Sequence, residues 1–207
     1  MNRKELKKLA VKQLGGEVFG SVWMMALLVC LVAGAMQSAL SAMWWVPMMV
    51  FGGVVSIGST YVLLKRARDG KNIHFPDVFY GFSKGFGDNV VLSLLTNVYT
   101  LLWSLLFIVP GIVKSYSYSL VYLIRLDKPG LSASETITES RRMMNGHKGE
   151  LFLLDLSFLG WYVLSIFTFG AIGLWVKPYH ELTRINFYEK LRVENETKYI
   201  ESTATEA

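Results

Sequence analysis

Leu101–Gly130 reads LLWSLLFIVPGIVKSYSYSLVYLIRLDKPG. An apolar run climbs to Val109, meets Pro110-Gly111, and resumes as a second apolar run as far as Arg125. In water such a stretch would be insoluble. In a bilayer it reads as two spanning helices joined by a tight turn. The rest of the chain repeats that design. The expectation is an all-α fold: a polytopic helical membrane bundle of about six transmembrane helices in three hairpins, with cytoplasmic interfacial helices.

Composition agrees. Of 207 residues, 52% are hydrophobic and only 18% charged, below the usual quarter for soluble domains. Val18–Leu64 contains no Asp, Glu, Lys or Arg. The net charge of +5 raises nucleic acid as a partner. The Lys and Arg fall at the ends of apolar runs, however, which fits membrane topology and not a phosphate-tracking face. Cys30 is the single cysteine and lies inside an apolar run, so it reads as a small buried hydrophobe.

Outward from the opening stretch, the N-terminal MNRKELKKLAVKQL puts Leu6, Leu9, Ala10 and Leu14 on one helical face. Lys4, Lys7, Lys8 and Lys12 lie around it. Residues 1–15 are thus expected to form a basic amphipathic helix on the inner membrane surface. A cleaved signal peptide is rejected, because the following apolar run is too long. Residues 16–190 form the membrane domain, and the polar tail 191–207 is expected to be disordered.

Val22–Leu64 is long enough for two crossings, with the break at Ser41–Pro47 and Trp44 and Trp45 at an interface. Gly34, Ser38 and Ala42, and Gly52, Ser56 and Thr60, form small-residue stripes that let helices approach closely. Phe75, Phe79, Phe82 and Phe86 recur at helical spacing and predict a short interfacial helix. Asn89–Val113 is again uncharged and supplies the third crossing. The fourth, from Ile112 to Arg125, is rich in Ser and Tyr and is expected to face other helices or a wet cavity. Ser132 and Glu135 make a capping box for a helix that ends near Asn145-Gly146. Leu151–Val176 holds a fifth crossing, a turn near Phe169-Gly170, and the start of a sixth; one long crossing is the rival.

Basic residues order the threading. Arg3, Lys4, Lys7, Lys8 and Lys12 precede the first crossing. Lys65, Arg66, Arg68, Lys71 and Lys84 follow the second, and Arg125, Lys128, Arg141, Arg142 and Lys148 the fourth. The turns near Trp44, Pro110 and Phe169 have none. Both termini are therefore expected in the cytoplasm, with the protein in the bacterial cytoplasmic membrane.

A faint internal repeat appears. Lys84-Gly85 precedes a crossing containing Leu92-Ser93-Leu94, and Lys148-Gly149 one containing Leu156-Ser157-Phe158. Lys114 and Tyr116 then match Lys177 and Tyr179. If the repeat is structural, these four residues stand at similar depth near the outer interface. There the two ammonium groups could hold an anion such as a lipid phosphate, or simply snorkel to headgroups. Asp155 is not expected to join them, since the threading puts it toward the opposite face.

The residues Leu102-Trp-Ser-Leu-Leu, Ile108-Val-Pro-Gly-Ile112, Asp127-Lys-Pro129, Ser140-Arg-Arg-Met-Met-Asn-Gly-His-Lys148, Leu154-Asp-Leu-Ser-Phe-Leu-Gly-Trp161 and Leu174-Trp-Val-Lys-Pro-Tyr179 resemble the DUF975 family. That family comprises bacterial multi-pass membrane proteins of unknown function. The resemblance spans Phe79 to Tyr188 and brings no catalytic residues with it.

Direct motif search finds no chemistry either. His74, His147 and His180 are scattered, with no HExxH and no cysteine partners. No phosphate-binding G-x-x-x-x-G-K-[ST] loop and no G-x-S-x-G elbow occur. No enzyme activity, cofactor or metal is expected. The function expected first is a lipid- or partner-binding accessory, whose partners are the bilayer, an anionic lipid or a membrane protein. The alternative is a small-solute transporter or channel component using the polar fourth and sixth helices.

Overall fold

The computed structural model describes residues 2–16, 20–43, 45–70, 72–106, 108–168 and 170–205, with side chains described outside 39–50, 105–109 and 198–205. The described elements are all helical: α1 (Arg3–Gln13), α2 (Ser21–Met43), α3 (Trp45–Asp69), a 3-10 helix (Phe75–Phe79) running into α4 (Tyr80–Ser83), α5 (Phe86–Leu106), α6 (Ile108–Ser117), α7 (Val121–Asp127), α8 (Ala133–Met143), α9 (Lys148–Leu156), α10 (Leu159–Phe167) and α11 (Ala171–Thr205).

Three helical hairpins organise the chain: α2 on α3, α5 on α6, and α10 on α11. The third closes the question between one long crossing and a turn, since Gly170 adopts φ +90° and the chain doubles back. Two hairpins share a device at the tip. A Cβ on Gly111 would lie 2.7 Å from the Ser104 hydroxyl, and one on Gly173 would lie 2.5 Å from that of Ser165. In each, a glycine on the returning helix lets a serine of the outgoing helix sit against the backbone. The breaks expected at Trp44 and Phe169 lie outside the described residues, as do the side chains of Trp45, Pro47 and Ala42.

Helices α3 and α11 form the axis. The main core gathers Leu63 and Leu64 of α3, Leu182, Ile185, Phe187, Tyr188 and Leu191 of α11, and Leu6, Ala10 and Leu14 of α1. The apolar face of α1 packs into this core, with Leu6, Ala10 and Leu14 buried. Its end is fixed by a reciprocal amide pair, Gln13 Nε2 to Asn186 Oδ1 at 3.1 Å and Asn186 Nδ2 to Gln13 Oε1 at 2.9 Å. Arg66 Nε also donates to the Gln13 carbonyl at 2.7 Å.

Helix α11 runs on to Thr205. Lys190 pairs with Glu150 of α9 at 2.9 Å, and Arg192 pairs with Glu189 at 2.9 Å, the latter at the near-turn spacing that supports an exposed helix.

Among the described residues, two windows are long and apolar enough to cross a membrane, Ser21–Ser38 and Lys148–Phe167. The expected fourth crossing is divided into α6 and α7. Ser115 and Ser119 turn their hydroxyls onto the Ile112 and Tyr116 carbonyls at 2.7 and 2.8 Å, local bonding that competes with a continuous helical ladder. The expected single interfacial helix at Phe75–Phe86 is likewise divided, with Gly85 at φ +61° separating α4 from α5. Its aromatic ladder is present, with Phe75–Phe79, Phe79–Phe82 and Phe82–Phe86 centroids at 6.4, 6.5 and 6.1 Å.

Buried Arg125 locks α7 to α5. Its guanidinium donates to Asn89 Oδ1 (3.2 Å), Asp88 Oδ2 (2.9 Å) and the Pro129 and Leu131 carbonyls (2.8 and 2.9 Å). A charge with this little exposure is tolerable because its donors are satisfied. The capping box is as the sequence predicts: Glu135 N donates to Ser132 Oγ at 3.3 Å, and Ser132 N to Glu135 Oε2 at 2.8 Å.

Candidate functional site

A partly open cavity of about 670 Å³ lies between α2, α3, the α6–α7 return, α9 and α11. Helical periodicity explains its lining. Cys30, Ala33 and Gln37 share a face of α2, and Ser56, Ser59 and Thr60 a face of α3. Lys177, Glu181 and Arg184 share a face of α11. The small residues of α3, expected to draw helices together, leave room here instead. Gln37 Nε2 bridges to Ser56 Oγ at 3.1 Å, so α2 and α3 are tied across the cavity rim.

One wall is a hydrogen-bonded chain. Asp155 of α9 accepts from Tyr116 Oη on Oδ2 at 3.1 Å. On Oδ1 it meets His180 Nε2 at 2.8 Å and Arg184 Nε at 3.6 Å. Tyr162 Oη lies 2.9 Å from His180 Nδ1. A neutral imidazole that donates from Nε2 to the carboxylate leaves Nδ1 to accept the Tyr162 hydroxyl proton, so each group is satisfied. Phe158 holds the imidazole in place by stacking on it at 4.5 Å. Above Phe158 sits Lys7 Nζ, 4.0 Å from the ring centroid.

The four residues singled out by the repeat are not brought together. Tyr116 and Lys177 line the central cavity. Lys114 lies 4.4 Å above the Trp103 ring, in a separate cavity of about 240 Å³ shared with Arg141 and Thr138 of α8. Lys177 does not line that cavity. Tyr179 packs its ring on Phe158 and Trp23, at 5.0 and 6.3 Å between centroids, in the core.

Sequence reasoning missed Asp155, His180 and Arg184 as a group. Two signals were present. Asp155 is the one charge between Leu151 and Val176, and His180 and Arg184 are one helical turn apart. Among the described residues no cluster of His, Cys, Asp and Glu has the makings of a metal site. The arrangement presents a set of mutually oriented polar groups to the cavity.

No curated protein and no solved structure matches the chain. The family described as "Protein of unknown function (DUF975)" matches it over residues 1–117 and 106–195. With both halves of the sequence covered, the chain belongs to the DUF975 family, whose function is unknown.

Proposed function

We propose that this chain is a multi-pass protein of the bacterial cytoplasmic membrane, with both termini in the cytoplasm, that works by binding and not by catalysis. In this reading it is an accessory protein that holds a lipid headgroup or a membrane partner. The observation that carries it is an inversion of polarity. Leu101, Leu102, Ile166 and Phe167 are 54%, 52%, 76% and 78% exposed, while Asp155, Lys177, Glu181 and Arg184 are drawn together around a partly open cavity between the helices. Exposed apolar area on that scale is a liability in water and an asset in lipid. Ionisable groups in a membrane protein face the interior and mark functional pathways.

The test is extraction and lipid retention. Membranes washed at alkaline pH should keep the protein, and native mass spectrometry should find bound lipid that survives detergent exchange. Release into the wash would sink the membrane reading.

A second reading, a small-solute transporter or channel component, draws support from the cavity's position between α6 and α11, the polar helices. Flux into proteoliposomes, absent from protein-free vesicles, separates it from the first.

A further inference from the structure

We infer that the central cavity is a binding site for a zwitterion, an ammonium and an oxyanion carried on one short chain. The inference rests on the proposed membrane reading and adds the class of ligand. Four charged side chains line the cavity: Asp155, Lys177, Glu181 and Arg184. Their formal charges cancel, so the site has no net preference for an anion or a cation. It does have separated poles. Asp155 is already engaged by Tyr116, His180 and Arg184. Lys177 and Glu181 are the charges left over, with no ion pair to any described residue.

These two do not neutralise each other well. They are four residues apart on α11, with the lysine nearer the N-terminus. That is the weaker order for a helical ion pair. Lys177 is also turned toward α2, where its Nζ lies 3.7 Å from the position a Cβ on Gly34 would take. The ammonium group thus sits against the α2 backbone at Gly34. Charges held in a partly desolvated cavity without an ion-pair partner are costly. A ligand whose oxyanion meets Lys177 and whose ammonium meets Glu181 removes both costs at once. Ser59, Thr60 and Ser119 supply hydroxyls along the same wall. Two sources present this chemistry: a free solute, or the headgroup of an ethanolamine lipid.

The test uses the full chain in nanodiscs of phosphatidylglycerol alone, so that no lipid supplies a zwitterion. Calorimetric titrations compare phosphoethanolamine and glycine with their halves, methyl phosphate and ethanolamine. Saturable binding of at least one zwitterion is expected, about tenfold or more tighter than either half, since each charged contact contributes on that scale. Lys177→Gln and Glu181→Gln should each weaken it by about tenfold or more, and the double variant by less than the product. Nanodiscs containing phosphatidylethanolamine distinguish the sources. Loss of free-zwitterion binding there identifies the lipid headgroup, and unchanged binding identifies a solute. Methyl phosphate binding as tightly as phosphoethanolamine would overturn the proposal in favour of a simple anion site. So would no saturable binding of any probe to monodisperse wild-type protein. Neither result touches the membrane reading, which stands or falls on extraction.

Discussion

The phenol of Tyr116 donates to Asp155 Oδ2 at 3.1 Å, joining α6 to α9 across 39 residues of sequence. With His180 and Arg184 on the other oxygen, Asp155 ties three elements of the bundle together. That makes it a structural anchor as well as a wall of the cavity.

Truncating the two ends of this bond should have unequal effects. Tyr116→Phe removes one hydrogen bond and should cost about 1 kcal/mol. Asp155→Ala strands His180, Tyr116 and Arg184 together and should cost about 3 kcal/mol or more. Thermal unfolding of detergent-solubilised protein reads the order. Equal midpoints for the two variants would mean that the carboxylate does not hold the three elements.

A second carboxylate sets acid stability. Arg68 grips Asp127 through two bonds of 2.6 and 2.7 Å, and Tyr188 Oη donates to it at 2.6 Å. Burial alone would push the Asp127 carboxyl up, but Arg68 and Tyr188 outweigh it and hold the group below its ordinary value. The folded pKa is therefore lower than the unfolded one, about 3.9. Stability from this group is fully present above the unfolded value and is lost as pH falls through the folded one. Wild-type protein should lose midpoint temperature between about pH 4 and pH 2, and Asp127→Asn should lose less over that range. A wild-type curve parallel to the variant's would rule out the linkage.

Much of this fold was legible in the sequence, for identifiable reasons. The capping box at Ser132 and Glu135 and the Phe75–Phe86 ladder depend on local spacing, and both are present. The hairpin at Gly170 follows from turn chemistry. Other features were set by tertiary packing. The Leu6, Ala10 and Leu14 face of α1 was correct as a face, but periodicity does not say whether lipid or α11 covers it. The repeat put Lys114 and Lys177 at equal depth, but it carries no information about which way each hairpin turns in the bundle. Asp155 and His180 are 25 residues apart, and only the turn at Gly170 brings them together.

Two glycines should answer oppositely to alanine. A Cβ on Gly58 of α3 would fall 1.7 Å from the Val78 carbonyl oxygen of the 3-10 helix, a backbone atom that has no rotamer to escape into. A Cβ on Gly160 of α10 meets nothing within 4 Å. Gly58→Ala should destabilise by about 2 kcal/mol or more, whereas Gly160→Ala should be neutral or stabilising by up to about 1 kcal/mol. A mild effect at Gly58 would show that the 3-10 helix does not cross α3 this closely.

The division of the fourth crossing makes the topology test sharper than a count of helices. A hairpin returns the chain to the side it left, whether or not its tip emerges. Both termini therefore share a side with six crossings, and they still share it if the α5–α6 hairpin only dips into the bilayer. The tips decide. Ile112 is exposed near the tip of α5–α6, and a cysteine there avoids the Gly111 contact with Ser104. Ala171 serves the α10–α11 tip, and Asn145 and exposed Val193 report the cytoplasmic side. Native Cys30 is buried and should give little background in intact cells. With six crossings, an impermeant maleimide labels Ile112→Cys and Ala171→Cys from outside and spares Asn145→Cys and Val193→Cys. Labelling at Ala171→Cys without labelling at Ile112→Cys would mean that α6 and α7 line a buried return, reducing the crossings from six to four. External labelling of Val193→Cys would reject the hairpin scheme itself, because an odd number of crossings is then required.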